Sequence, residues 1–179
     1  RNHFDVRTIL RVSPDEGCLW YTSQGADNAC LVQLHRVGLD GGGDILLTDP
    51  KSSHKVSMSP TGLGFVDIAQ TLDQAPISYA CDPAGHRMET LSTSDTSAFD
   101  AMVLKRAERF TCKAADGVTN ITGFIQKPSN FDPNKRYPMV LGVYAGPSAG
   151  TESEEFMIPP PITEFGYIFA WIDGRGCIA

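Results

Sequence analysis

The chain has 179 residues, of which 41% are apolar and 20% charged, with a formal net charge of −6. That is the composition of a globular protein rather than of a disordered or fibrous one. The acidic balance excludes a nucleic-acid surface, which needs a basic stripe to neutralise phosphates; the densest basic cluster, Lys105-Arg106 with Arg109, reads as a solvated face.

No apolar run reaches the length of a membrane span, and the amino end carries no signal-peptide pattern. The first residue is Arg1, so the chain is expected to be a piece of a longer one. The five cysteines, Cys18, Cys30, Cys81, Cys112 and Cys177, show no two-residue spacing, and an odd number cannot complete a disulfide framework. A free cysteine in a strand-like segment behaves as a small buried hydrophobe. The histidines (His3, His35, His54, His86) lack metal-ligand spacing, so no metal and no cofactor is expected. Asn120-Ile121-Thr122 is a formal glycosylation acceptor that leaves the compartment open.

From the amino end to about residue 92 the sequence reads as short strands joined by turns. The candidates are Val6–Val12, Cys18–Thr22, Cys30–Val37, Asp44–Thr48, His54–Met58, Leu63–Ala69, Pro76–Cys81 and His86–Leu91. Turn signals separate them at Ser13–Gly17, Asp40–Gly43 and Asp82–Gly85. A weak repeat organises the set: Val12-Ser13-Pro14-Asp15 returns 46 residues later as Met58-Ser59-Pro60-Thr61, each followed by Gly and an apolar strand. Four strands per unit at a period in the forties is the arithmetic of a β-propeller blade. Two blades cannot close a ring, which again predicts a fragment; unrelated hairpins are the alternative. Gly41-Gly42-Gly43 lacks the Lys-Ser/Thr of a phosphate loop and reads as a hairpin tip.

Near Ser94 the pattern changes. Ser97–Leu104 has apolar residues at helical spacing, with Asp95 or Ser97 as amino cap, and predicts a linker helix. Arg109–Lys113 and Ile121–Gln126 flank Ala115-Asp116-Gly117 as a hairpin. A polar connection, Ser129–Arg136, leads into Tyr137-Pro138-Met139-Val140-Leu141-Gly142-Val143-Tyr144. This apolar run, closed by Ala145-Gly146-Pro147, predicts a strand buried on both faces. Its carboxyl end is where open α/β sheets place ligands. A second such strand, Tyr167–Ile172, ends at Asp173-Gly174-Arg175-Gly176. Together these segments suggest the opening of a mixed α/β sheet.

Phe110, Ala114–Gly117, Lys127-Pro128, Phe131-Asp132, Lys135–Pro138, Val143–Pro147, Gly166-Tyr167 and Asp173–Gly176 together resemble the prolyl oligopeptidase family of serine peptidases (family S9), most closely its dipeptidyl peptidase IV branch. The resemblance is specific over residues 107–176 and architectural over 1–92. It implies residues 1–92 as the end of a β-propeller, 93–106 as a linker helix, and 107–179 as the start of an α/β-hydrolase domain cut before its nucleophile. It further implies a serine-type peptidase acting on peptide substrates by acyl transfer, with release of dipeptides from amino termini. On this resemblance Tyr144 holds the place of the family's oxyanion-hole tyrosine. An acylaminoacyl peptidase or oligopeptidase of the same family, or a non-catalytic binding relative, is the alternative. The resemblance leaves a homodimer of the full-length parent, its compartment and its substrate-binding residues open.

Two further patterns are weighed against it. Gly146-Pro147-Ser148-Ala149-Gly150 spells the G-x-S-x-G of a nucleophile elbow. Pro147 would constrain the strained turn, and no histidine follows His86 to complete a triad. Ser148 is therefore not read as a nucleophile, and the isolated chain is expected to be inactive. Glu154-Glu155 resembles the paired glutamates that hold a substrate amino terminus, but in the family those come from the propeller. These two read as part of a solvated acidic stretch without a role.

Overall fold

Both Ser-Pro turns of the repeat occupy the same place in two successive four-stranded sheets of the computed structural model, which describes residues 5–144 and 153–174. The first sheet is an antiparallel meander of β1 (Val6–Ser13), β2 (Cys18–Gln24), β3 (Val32–Gly38) and β4 (Ile45–Leu46). The second repeats it with β5 (Ser53–Met58), β6 (Phe65–Gln70), β7 (Ile77–Cys81) and β8 (Arg87–Thr93). Each Ser-Pro turn links the first strand of its sheet to the second. The strands fall close to where the runs between turn residues predict them, except that Asp44–Thr48 shrinks to two residues of ladder. The glycine run is a hairpin tip: Gly38 N–H donates to Gly42 O at 2.9 Å, and Gly41 and Gly43 take positive φ.

The sheets share a core. Cys18, Trp20 and Leu34 of the first meet Phe65 and Cys81 of the second, with Leu47 between them in sequence and Leu10, Val56, Met58 and Tyr79 around the edge. Burying each large apolar side chain of this group contributes about 2 kcal/mol. The β7–β8 turn approaches this core so closely that only glycine fits. A Cβ at Gly85 (φ +92°) would lie 2.4 Å from the Leu47 carbonyl oxygen.

The chain divides into two compact units. The first holds both meanders together with Ser153–Glu155, and the second holds 95–152 and 156–179. In the second unit β9 (Glu108–Lys113), β10 (Asn120–Gln126), β11 (Met139–Tyr144) and β12 (Ile168–Asp173) form one sheet in the order β11-β12-β10-β9. The β9–β10 and β10–β12 pairs are antiparallel, and β11 lies parallel to β12. A mixed sheet is thus observed. Its interior is built on Phe124, Ala170, Gln126 and Thr163, with Trp171 ringed by Phe124 and Phe169 at 6.0 and 5.4 Å.

Three expectations are corrected here. The helix is α1 (Ser97–Ala101), five residues long and not eight. Its N-cap is Thr96, which makes no side-chain cap bond; Asp95 accepts from Ser97 N–H at 2.9 Å instead. Met102 and Val103 are 59% and 64% exposed, and the backbone leaves helical φ at Val103 (φ 54°). Second, β11 is an edge strand, not one buried on both faces. Met139, Leu141 and Val143 are 58%, 53% and 56% exposed, because no described element covers that side. Third, Arg106 is not solvated: its guanidinium sits 4.3 Å from the Phe99 ring and 4.5 Å from the Phe156 ring, tethering α1 within the second unit.

Candidate functional site

The site grows from the connection that aims β11. Lys127 Nζ donates to both carboxylate oxygens of Glu108 at 2.8 and 2.7 Å and lies over the Phe131 ring at 5.0 Å. Phe131 stacks on Tyr137 at 5.1 Å, and the Tyr137 hydroxyl accepts the Asp132 N–H at 2.8 Å. Asp132 Oδ1 in turn accepts the Asn134 N–H at 2.9 Å and closes an Asx turn. Lys127, Phe131, Asp132 and Tyr137, all motif residues of the resemblance, therefore staple one surface loop to itself. That loop delivers the chain to Pro138, whose carbonyl accepts the Ile168 N–H at 2.9 Å and sets the start of the parallel pairing.

From there the register runs without a break from Met139 opposite Ile168 to Tyr144 opposite Asp173. β-branched and aromatic residues make up half of β11 and most of β12, as a pleated surface favours. Parallel strands end at the same edge of a sheet, so Tyr144 and Asp173 close their strands side by side. The residues just outside the carboxyl ends of parallel strands are where α/β sheets bind ligands.

Of the residues singled out in the sequence, Tyr144 and Asp173 are brought together along the backbone. Ser148 and Cys177 lie outside the described residues. Glu154 and Glu155 are not a solvated pair. Asn28 Nδ2 donates to Glu154 Oε2, and Lys55 Nζ pairs with Glu155 Oε2 at 2.8 Å. Cys18 and Cys81 are free thiols in the core, and Cys30 is buried beside β3. Burial, and secondarily the Asp67 carboxylate, pushes the Cys81 thiol up to about 11. It is a protonated, unreactive hydrophobe at neutral pH.

A buried polar pair escaped the sequence reading. His54 on β5 and Asp67 on β6 are diagonal neighbours across the ladder, paired with Ala69 and Val56 respectively. His54 Nδ1 meets Asp67 Oδ1 at 2.8 Å, and Nε2 meets the Asp49 carbonyl at 2.9 Å, with side-chain exposures of 0% and 3%. A carbonyl can only accept, so Nε2 carries a hydrogen, and a single further proton serves the bond to Asp67. In the first sheet, Tyr21 and His35 stack at 5.2 Å, and the Tyr21 hydroxyl donates to Asp44 Oδ1 at 2.9 Å. The only sequence signal for either pair was polar residues at inward strand positions. Both pairs bind neighbouring strands or turns within the first unit.

No family model matches the chain. A protein of Emericella nidulans assigned as dipeptidyl-aminopeptidase B is 27% identical over 151 residues, which is 80% of this chain and 17% of that protein. A protein of Ajellomyces dermatitidis with the same assignment is 39% identical over 54 residues, 28% of this chain and 6% of the relative. Among solved structures, one assigned as a dipeptidyl aminopeptidase IV from Bacteroides ovatus matches with a TM-score of 0.81 and 26% identity. That match covers 99% of this chain and 26% of the other. The dipeptidyl peptidase 4 of Porphyromonas gingivalis matches with the same TM-score of 0.81 at 18% identity, and so shares the fold. Sequence and fold both lead to dipeptidyl peptidase IV-like peptidases, as the motifs indicate, and the chain spans about a quarter or less of their length.

Proposed function

We propose that this chain is the junction of a serine-type dipeptidyl peptidase of the prolyl oligopeptidase family. In this reading residues 1–92 are the last blades of a β-propeller and 93–106 a linker. Residues 107–179 open an α/β-hydrolase domain. The observation that carries it is Tyr144 opposite Asp173 at the carboxyl edge of a parallel pair, within the motifs quoted above. The paired four-stranded meanders with equivalent Ser-Pro turns support the blade assignment. The open apolar side of β11 supports the hydrolase assignment, because such a face is ordinarily covered by further elements of the same domain.

The chemistry follows from the bond to be cleaved. Attack of a serine hydroxyl on a peptide carbonyl converts the carbonyl oxygen to an oxyanion, and a donor aimed at that position lowers the barrier. Tyr144 is the residue of this chain we assign to that task, its hydroxyl donating to the oxygen as charge develops. The nucleophile and its histidine and aspartate lie elsewhere in the longer polypeptide, since no histidine follows His86 here. Peptide amino termini are the substrates, and the propeller limits access to small or unstructured peptides.

The test is dipeptide release from a chromogenic dipeptidyl substrate. The full-length protein is expected to turn it over with sensitivity to serine-directed inhibitors, and the 179-residue chain to show none. Inhibitor-sensitive release by the isolated chain would refute the assignment.

A further inference from the structure

The β9–β10 hairpin of the second unit closes without help from the residue that follows its turn. Asp116 accepts the Val118 and Thr119 N–H groups at 2.9 Å each and the Thr119 hydroxyl at 2.6 Å. Ala114 N–H donates to the Thr119 carbonyl at 2.9 Å. Asn120 comes next and pairs with Lys113 across the ladder, but the Lys113 ammonium is engaged by the Val118 carbonyl at 3.0 Å. An asparagine beside a turn ordinarily bonds nearby backbone. Here Asp116 fills that place, and the exposed Asn120 side chain, like that of Thr122, has no hydrogen bond to any described residue.

The sequence around it is selective. Of the asparagines Asn2, Asn28, Asn120, Asn130 and Asn134, only Asn120 has Ser or Thr two residues on with a residue other than proline between. That is the acceptor pattern for an N-linked oligosaccharide, which needs a surface position. Residues two apart on a strand share a face, so the Asn120 amide and the Thr122 hydroxyl lie on one side of β10. Further along that side Phe124 and Gln126 are fully buried. The ladder to β12 covers Gly123–Gln126, and Asn120–Thr122 reach past its first pair. Asn120 therefore stands where the covered face of the strand has given way to solvent. Asn28 is the contrast, its amide held by the Cys30 N–H and by Glu154.

We propose that Asn120 is an N-glycosylation site, and that the protein accordingly passes through a compartment where oligosaccharide is transferred from a lipid pyrophosphate carrier. In that transfer Asn120 Nδ2 bonds to the anomeric carbon of the first sugar. The bond from that carbon to the pyrophosphate oxygen breaks, its electron pair leaves with the lipid pyrophosphate, and the amide nitrogen gives up one proton. Nothing is oxidised or reduced. The hairpin accepts the product because its own bonds do not use the amide. The site is independent of the role of Tyr144.

The full-length protein, expressed from its complete reading frame in yeast, should show the modification after digestion with peptide N-glycosidase in heavy-oxygen water. Peptide mapping is expected to find Asn120 converted to labelled aspartate in most molecules. Asn120→Gln and Thr122→Ala should each abolish the label, and Thr122→Ser should keep it. An unmodified Asn120 in the unaltered protein would overturn the proposal, whether the protein stayed in the cytosol or entered the secretory route. A label that survives Thr122→Ala would overturn it too. In full-length protein made in bacteria, where the glycan is not added, Asn120→Gln should leave the urea midpoint unchanged. A lowered midpoint would contradict the proposal, because Asn120 would then be serving the fold.

Discussion

On the proposed function, replacing Tyr144 by Phe in the full-length protein is expected to lower kcat by about 10²–10³-fold, the equivalent of about 3–4 kcal/mol of transition-state stabilisation. The substitution keeps the ring that ends β11 and removes only the hydroxyl, so the six-pair register with β12 is retained. Because the bond forms as the oxyanion develops, kcat and kcat/KM should fall together while KM stays near its original value. Tyr137 supplies the contrast. Its hydroxyl accepts the Asp132 N–H and belongs to the loop staple. Tyr137→Phe should therefore cost stability and leave kcat within a few-fold. Steady-state kinetics on a dipeptidyl substrate separates the two tyrosines. A Tyr144→Phe enzyme with kcat within about threefold of the original would remove the oxyanion assignment.

The second large effect lies in the first unit and concerns stability. His54→Ala should destabilise it by about 3–5 kcal/mol, the cost of leaving a buried carboxylate without its partner. Asp67 is almost fully enclosed and has His54 Nδ1 at 2.8 Å, while His54 Nε2 ties the Asp49 turn to the same strands. Asp67→Asn should be far milder. An asparagine amide can donate to Nδ1 while Nε2–H continues to serve Asp49, so every buried polar atom of the pair stays bonded. Urea midpoints for the two variants, read by Trp20 and Trp171 fluorescence, give the comparison. Equal losses for both would mean that the pair is not held by the shared proton.

The strands were legible because their signals are local. The turn chemistry of Ser-Pro, Asp-Gly and the glycine run acts within a few residues and carries to the structure almost unchanged. The parallel neighbours β11 and β12 were equally readable as apolar runs between turn residues. What failed depended on partners far along the chain. Burial of β11 needs an element over Met139, Leu141 and Val143, and apolar spacing cannot say whether one is present. The helix from Ser97 stops before Met102 and Val103, which stay largely exposed although their spacing is helical. Glu154 and Glu155 resemble any solvated acidic run until Asn28 and Lys55, more than ninety residues away, are brought to them by the fold. His54 and Asp67 are likewise ordinary strand residues in sequence, and only the β5–β6 register joins them.

At the site itself the motif residues were identifiable, but their division of labour was not. Lys127, Phe131, Asp132 and Tyr137 stand in the sequence as a scattered signature. In the fold they become one self-bonded loop that aims β11, which leaves Tyr144 as the member of the set assigned to chemistry.

The most direct test of the central claim is the site of covalent labelling by a fluorophosphonate, which marks activated serines. Peptide mapping of the labelled full-length protein is expected to place the adduct on a serine beyond residue 179, and the 179-residue chain is expected to take up none. An adduct on Ser148, in either protein, would contradict the account, because the turn after Tyr144 would then carry the nucleophile rather than serve the oxyanion.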